Sequence, residues 1–299
     1  MTIKCLNASH GESWTLYNGD CVDVVGQMPD KSVDVSVYSP PFSDLFIYSD
    51  SERDMGNCAS DDEFMEHYLH LLREMFRVLR PGRMACVHVS DLPARKSKEG
   101  FIGLRDFSGD VVRAHQAAGF HYHSRITIWK DPVTEMQRTK AHGLLYKNIQ
   151  TDSTRNRVGM PDYILVFKRP PITKAEEAEK VPVTHSPADF PLDDWQKIAS
   201  PVWFDIDQGN TLNVRIARDN SDEKHMCPLQ LDVIDRLLRL YSNPGEVVLS
   251  PFGGVGSEGV GSLRVGRKFV GVELKPTYWD RACRNLRDEE GLNQPSLFG

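Results

Sequence analysis

The chain has 299 residues, 40% hydrophobic, 26% charged and 9% aromatic, with a formal net charge of -6, the make-up of a globular protein of one large or two ordinary domains. These values exclude a disulfide-stapled miniprotein, a collagen-like or disordered chain, and a protein that coats nucleic acid through bulk positive charge. No run approaches the roughly 18 apolar residues of a spanning helix, and the first seven residues lack the apolar stretch of a signal peptide, so a soluble intracellular protein is expected.

Trp14–Tyr17 reads as a short strand closed by Asn18-Gly19-Asp20, followed by a brief helix over 22–28 that stops at Pro29-Asp30. In the segment 32–38, valines at 33, 35 and 37 recur at every second position; this predicts a strand whose carboxyl end delivers Ser39-Pro40-Pro41-Phe42. Residues 43–60 are loop-like, and Asp61 or Asp62 is positioned to cap a helix whose apolar stripe is Phe64, Tyr68, Leu72, Met75 and Leu79, ended by Pro81-Gly82. Strand 84–89, helix 109–118, strand 121–129 and strand 163–167 follow, an alternation that predicts a parallel α/β sheet.

Pro170-Pro171, the charged run 173–180, Pro182 and Pro187 mark a linker, and 188–222 shows no clear periodicity. This divides the chain into 1–168, an inserted 169–222 and 223–299. Pro228 suits the first position of a helix with the stripe Leu231, Ile234, Leu238 and Tyr241, broken at Asn243-Pro244-Gly245. Strand 246–249, a glycine-rich turn over 250–261, a short helix, strand 269–273 and a helix over 277–287 complete the chain.

The cysteines at 5, 21, 58, 86, 227 and 283 form no CxxC pair or regular framework, so reduced, mostly buried thiols are expected. His67 and His70 share a helix face without a third ligand nearby, and no metal site is predicted. Charge is uneven: residues 92–170 hold 14 Lys and Arg against 7 Asp and Glu, leaving 22 against 35 elsewhere. Such a basic region localises affinity for phosphates, although a solvated face has the same composition.

Gly254-Val-Gly256-Ser-Glu-Gly259 follows a strand, opens a helix and is succeeded by Glu273 at the end of the next strand. Glycines let the backbone approach a nucleoside closely, and the carboxylate can accept from both ribose hydroxyls. A P-loop is excluded because no Gly-Lys-[Ser/Thr] follows. Only about fifty residues remain after this unit begins, too few for the second half of an ordinary dinucleotide-binding sheet. The economical completion uses the other end of the chain, giving the circular order glycine strand, Glu273 strand, Asp20 strand, Ser39 strand. The first and fourth of these are then neighbours at the switch point where such sheets bind ligands. Two loops about 210 residues apart in sequence become one site.

The pattern [Asp/Asn/Ser]-Pro-Pro-aromatic arises by chance in a chain this long on the order of 1% of the time. With these motifs the sequence resembles the exocyclic-amino DNA methyltransferases that use S-adenosylmethionine, in their β-type order with the target-base motif before the cofactor motif, over about 1–168 and 223–299. The resemblance implies a circularly permuted Rossmann-like sheet with a target-recognition insertion, here 169–222, and with 131–158 as a second DNA-facing loop. It assigns Ser39, Pro40, Pro41 and Phe42 to the target base and Phe252, Gly253, Gly254 and Gly256 to the cofactor. It also makes Glu273 the ribose acid, Asp20 the residue near adenine, and 225–241 the helix before the cofactor strand. Ser250 departs from the family's usual Asp, which leaves the partner of the methionine ammonium open.

In such an enzyme the Ser39 oxygen and Pro40 carbonyl accept from the target amino group and aim its lone pair at the sulfonium methyl, while Phe42 stacks on a base swung out of double-stranded DNA. Serine at the first position is more usual among N4-cytosine enzymes, but a hydroxyl can accept from either amine, so N6-adenine stays open. Arg95, Lys96, Lys98, Arg138, Lys140, Arg155 and Arg157 are candidate phosphate contacts. The resemblance further implies a cytoplasmic protein of a bacterial or phage-infected cell, with a second copy and a cognate restriction endonuclease as conceivable partners. Three other readings stand beside it: another amine-bearing substrate on the same fold, an NAD-binding oxidoreductase suggested by the literal GxGxxG, and a DNA-binding module that has lost activity.

Overall fold

The computed structural model describes residues 3–42, 58, 60–94, 100–101, 103–139, 144–156, 158–212 and 228–293. Its elements run β1 (Asn7–His10), β2 (Trp14–Asn18), α1 (Cys21–Gly26), β3 (Val35–Tyr38), α2 (Asp61–Val78), β4 (Met84–Val89), β5 (Leu92–Ala94), β6 (Gly103–Arg105), α3 (Phe107–Ala117), β7 (His121–Ile128) and α4 (Pro132–Thr139). They continue with β8 (Asp162–Lys168), α5 (Lys174–Ala178), α6 (Leu192–Ile198), β9 (Val202–Trp203), α7 (Leu231–Tyr241), β10 (Val247–Ser250), α8 (Ser257–Arg264), β11 (Lys268–Glu273) and α9 (Pro276–Asn293).

Nine strands form one sheet in the order β1-β2-β11-β10-β3-β4-β8-β7-β9. The five from β2 to β4 are parallel, and antiparallel β8 and β7 extend the sheet beyond β4. β11 pairs with β2 from Phe269↔Trp14 to Glu273↔Asn18, so the two ends of the chain join edge to edge as the circular reading expects. Side chains seal the seam: Glu290 accepts from Ser13 N and Trp14 Nε1, Trp279 Nε1 donates to the Leu16 carbonyl at 3.1 Å, and Asn18 Nδ2 donates to the Glu273 and Leu274 carbonyls.

Every residue of β3 is buried, as a central parallel strand covered on both faces requires. Its polar Ser36 is tolerated because Oγ donates to the Leu249 carbonyl of β10 at 2.8 Å. One face of the sheet packs on α1, α2 and α3 through residues such as Val24, Leu72 and Val111. The other face packs on α7, α8 and α9 through Ile234, Val260 and Leu286. No helix among the described residues is long and apolar enough to cross a membrane.

Several local expectations are corrected. Ser60, whose hydroxyl accepts from Glu63 N, caps α2 in place of Asp61 or Asp62. Pro228 precedes α7, whose cap is Gln230. The 131–158 segment holds helix α4 and two short 3-10 turns rather than one loop. The aperiodic stretch after 188 carries α6 and β9, and Ile198, Trp203 and Ile206 sit in the same apolar cluster as Ile126 and Ile128 of β7. A two-residue strand cannot announce itself by periodicity; its place comes from pairing with Thr127 and Ile128.

Candidate active site

β10 and β3 lie side by side, with Val248↔Val35 and Leu249↔Ser36 in register, so the loops at their carboxyl ends emerge together. The ring of Tyr38, at the end of β3, and that of Phe252, in the glycine loop, meet at 5.9 Å between centroids. The structure therefore brings together the two motifs that the sequence separates by some 210 positions.

The glycine loop is shaped by its backbone. Gly254 and Gly256 have φ of +52° and +89°, in the left-handed region, and a Cβ on Gly253 would stand 3.1 Å from the Val272 carbonyl oxygen. Gly253 N donates to that carbonyl at 2.6 Å and Gly256 N to the Gly253 carbonyl at 2.8 Å. Asn285 of α9 pins the loop from outside by donating to the Val255 carbonyl. Glu273 Oε2 accepts from Gly254 N at 2.7 Å and its Oε1 from Lys275 N at 2.8 Å, which ties this carboxylate to the glycine loop.

Asp20 stands beside this acid, since Gly19 N donates to the Glu273 carbonyl at 3.1 Å. Its Oδ1 also caps α1 by accepting from Val22 N and Asp23 N, a structural task the sequence reading did not assign. Ser250 and Ser257 are buried and, among the described residues, their hydroxyls have no hydrogen-bond partner. Buried hydroxyls left open at both ends of a glycine turn fit a polar ligand seated there. Glu258, in the first turn of α8, is also buried; desolvation, with Glu273 nearby, pushes its carboxyl up to about 8.

The Ser39–Phe42 loop is instead held by side chains. Tyr38, the last residue of β3, shares its hydroxyl with Tyr68 Oη at 2.9 Å and His115 Nε2 at 3.2 Å. His115 stacks on Phe167 at 3.7 Å, and burial lowers its pKa to about 3. Pro40 is buried, which fixes the turn without adding an N–H donor. Phe42 meets Phe107 and His88 edge to face, at 5.9 and 6.4 Å.

Ser39 Oγ lies 3.1 Å from His88 Nδ1 and 3.3 Å from the His88 carbonyl. His88 Nε2 in turn lies 3.1 Å from Asp162 Oδ2, close enough for an ion pair but off the line of a straight hydrogen bond, and Lys130 Nζ contacts Asp162 Oδ1. Burial opposes the Asp162 charge, yet Lys130 and His88 outweigh it and hold this carboxyl below its ordinary range. Sequence reasoning missed His88, Asp162 and Lys130: β4 carries the histidine and the β7–β8 pairing supplies the other two, so no spacing links them. The proposed phosphate contacts Arg95, Lys96, Lys98, Lys140 and Arg157, and the side chains of Arg138 and Arg155, lie outside the described residues.

The chain is 24% identical over 287 residues to the type II methyltransferase M.BglII of Bacillus subtilis, covering 94% of this chain and 72% of that one. It is likewise 24% identical to the DNA adenine methyltransferase YhdJ of Escherichia coli strain K12, over 92% of this chain and 83% of the relative. Among solved structures, protein TTHA0409 of Thermus thermophilus in complex with S-adenosyl-L-methionine superposes with a TM-score of 0.65 at 22% identity, over 92% of this chain and 95% of that one. This likeness shows that the sheet is a methyltransferase fold. A family model described as DNA methylase, covering the N6 and N4 enzymes, matches residues 33–284 and thus spans both loops of the site; the chain belongs to the DNA methylase family.

Proposed function

We propose that this protein transfers a methyl group from S-adenosylmethionine to the N4 amino group of cytosine in double-stranded DNA. The observation that carries the reading is the emergence of the Ser39 loop and the glycine loop from adjacent parallel strands. When bound, S-adenosylmethionine supplies an electrophilic methyl on a sulfonium. Gly253, Gly254 and Gly256 allow the backbone to come close to it, Glu273 accepts from its ribose, Asp20 borders its adenine, and Phe252, beside Tyr38, walls the pocket toward the target base. Ser250 and Ser257 offer their open hydroxyls to its polar groups.

An exocyclic amine is a weak nucleophile because its lone pair is delocalised into the ring. Ser39 Oγ and the Pro40 carbonyl accept its protons and favour a pyramidal nitrogen, while Pro41 keeps the turn rigid. Phe42, braced at its edges by Phe107 and His88, stacks on the extruded base. We assign target recognition to 169–222, with 131–158 as a second DNA-facing segment, on a catalytic body formed by 1–168 and 223–299.

Serine in place of Asp at position 39 supports cytosine; the adenine activity in the name of the YhdJ relative is the second reading. Expression in a methylation-deficient host, followed by mass spectrometry and single-molecule sequencing of its DNA, tests both. N4-methylcytosine in a fixed sequence context is expected, N6-methyladenine selects the second reading, and unmodified DNA overturns the proposal.

A further inference from the structure

Ser39 is not an isolated hydroxyl. Behind it runs a buried line of polar groups, with His88 and Asp162 only 6% and 4% exposed. Asp162 faces Nε2 of His88, which favours the tautomer with its proton on Nε2 and leaves the Nδ1 lone pair directed at Ser39 Oγ. The hydroxyl therefore donates inward to Nδ1, and its own lone pairs are left to accept from a substrate N–H. The groups that face His88 come from three elements: Asp162 from the start of β8, Lys130, held on Asp162, from the turn after β7, and the Ser39 hydroxyl from the turn after β3, with the Phe42 ring covering one side.

We propose that His88 is the proton acceptor behind Ser39, positioned by Asp162 and tuned by Lys130. This rests on the amino-methyltransferase reading and goes beyond it by naming where the displaced proton goes. As the target nitrogen takes the methyl group, the S–CH3 bond of the sulfonium breaks, a neutral thioether leaves, one N–H bond breaks and its proton passes to Ser39 Oγ. The O–H proton of Ser39 passes at the same time to His88 Nδ1. The nitrogen ends neutral, Ser39 is again a neutral hydroxyl, and the positive charge resides on an imidazolium beside the Asp162 carboxylate until it is released to water. Lys130 takes up the other carboxylate oxygen, so the aspartate does not trap the proton permanently. Accepting a proton in step with bond formation is typically worth about 10²- to 10⁴-fold in rate. His88 acts through Ser39 and is a positioning and relay residue rather than a group in contact with substrate.

The test uses the full chain, as wild type and as His88→Gln, Asp162→Asn and Lys130→Met. First, the His88 imidazole is titrated by NMR in the free protein and assigned by its loss in His88→Gln. Removal of the Lys130 cation should move its titration to higher pH, and removal of the Asp162 anion to lower pH; a titration that moves in neither variant overturns the relay. Second, single-turnover methylation of unmethylated genomic DNA is followed from pH 5.5 to 8.5. The wild-type rate should fall on the acid side along the His88 titration, because a protonated imidazole cannot accept. His88→Gln should lose that acid limb together with at least tenfold in rate, with S-adenosylmethionine and DNA binding within about twofold of wild type. An acid limb that persists in His88→Gln overturns the proposal. Absence of methyl transfer by the wild type would instead sink the enzymatic reading, while the NMR titration still reports on the relay geometry.

Discussion

At the glycine loop the fold presents backbone: positive φ at Gly254 and Gly256, N–H groups donated within the turn and to Glu273, and serine hydroxyls left open. At the neighbouring Ser39–Phe42 loop it presents side chains, each fixed by another: Tyr38 by Tyr68 and His115, Ser39 by His88, Phe42 by Phe107. In the proposed reaction the cofactor, the same in every turnover, would be served by the backbone cradle, which leaves little to adjust. The proposed target amine, to be reoriented and deprotonated, would need groups that donate, accept and titrate. Each loop is also backed by a buried titratable group whose burial favours the neutral form, Glu258 behind the glycine loop and His115 behind the Ser39–Phe42 loop, and the two have opposite pH signatures.

Ser39→Ala strikes one loop only and has the largest expected effect. Turnover should fall about 10²-fold or more while the Kd for S-adenosylmethionine stays within about twofold; equal losses in single-turnover rate and in cofactor affinity would erase the division between the loops.

The buried pair sharpens the contrast through stability. Glu258 is raised from 4.5 to about 8, so the folded state holds a proton that the unfolded chain has released, and stability falls as pH rises between these values. His115 is lowered from 6.5 to about 3, so the unfolded chain binds the extra proton and stability falls as pH drops through that window. The two slopes oppose one another from about 4.5 to 6.5, and each acts alone outside. Denaturation of the wild type should show a loss of about 2 kcal/mol from pH 6.5 to 8, absent in Glu258→Gln; His115→Phe should remove its share of the loss below pH 4.5. A slope above pH 6.5 that survives in Glu258→Gln would refute the assignment of that carboxyl.

Gly256→Ala is the mild counterpart of Ser39→Ala. A side chain at φ +89° costs about 1–2 kcal/mol, and its Cβ would meet Ala282 at 3.2 Å. Calorimetric binding should show S-adenosylmethionine affinity reduced by up to about tenfold, with the rate at saturating cofactor nearly unchanged. A fall in that saturated rate instead would mean that the cradle also positions the target.

Much of this site was legible in the sequence because its motifs are local. Ser39-Pro40-Pro41-Phe42 and Gly253-Gly254-Val255-Gly256 are contiguous, and each follows a short valine-bearing segment that reads as a strand. The circular order joined the Glu273 strand to the strand over 14–17, and the pairing of β11 with β2 bears it out. The short elements were not legible, since β1, β5, β6 and β9 span two to four residues each, at most two periods of alternation. Their existence depends on neighbours rather than on their own pattern.

The sequence by itself determined the fold class, the glycine turn and the Ser39–Phe42 turn, because proline fixes φ, glycine admits the left-handed backbone that other residues avoid, and alternating valine favours a strand. Only the tertiary structure decided which side chains stand behind Ser39. His88 on β4, Asp162 on β8 and Lys130 after β7 converge because antiparallel pairing of β8 with both neighbours sets their ends in register. Register between distant strands is a property of the assembled sheet, and a buried charge is stable only where that assembly brings it a partner.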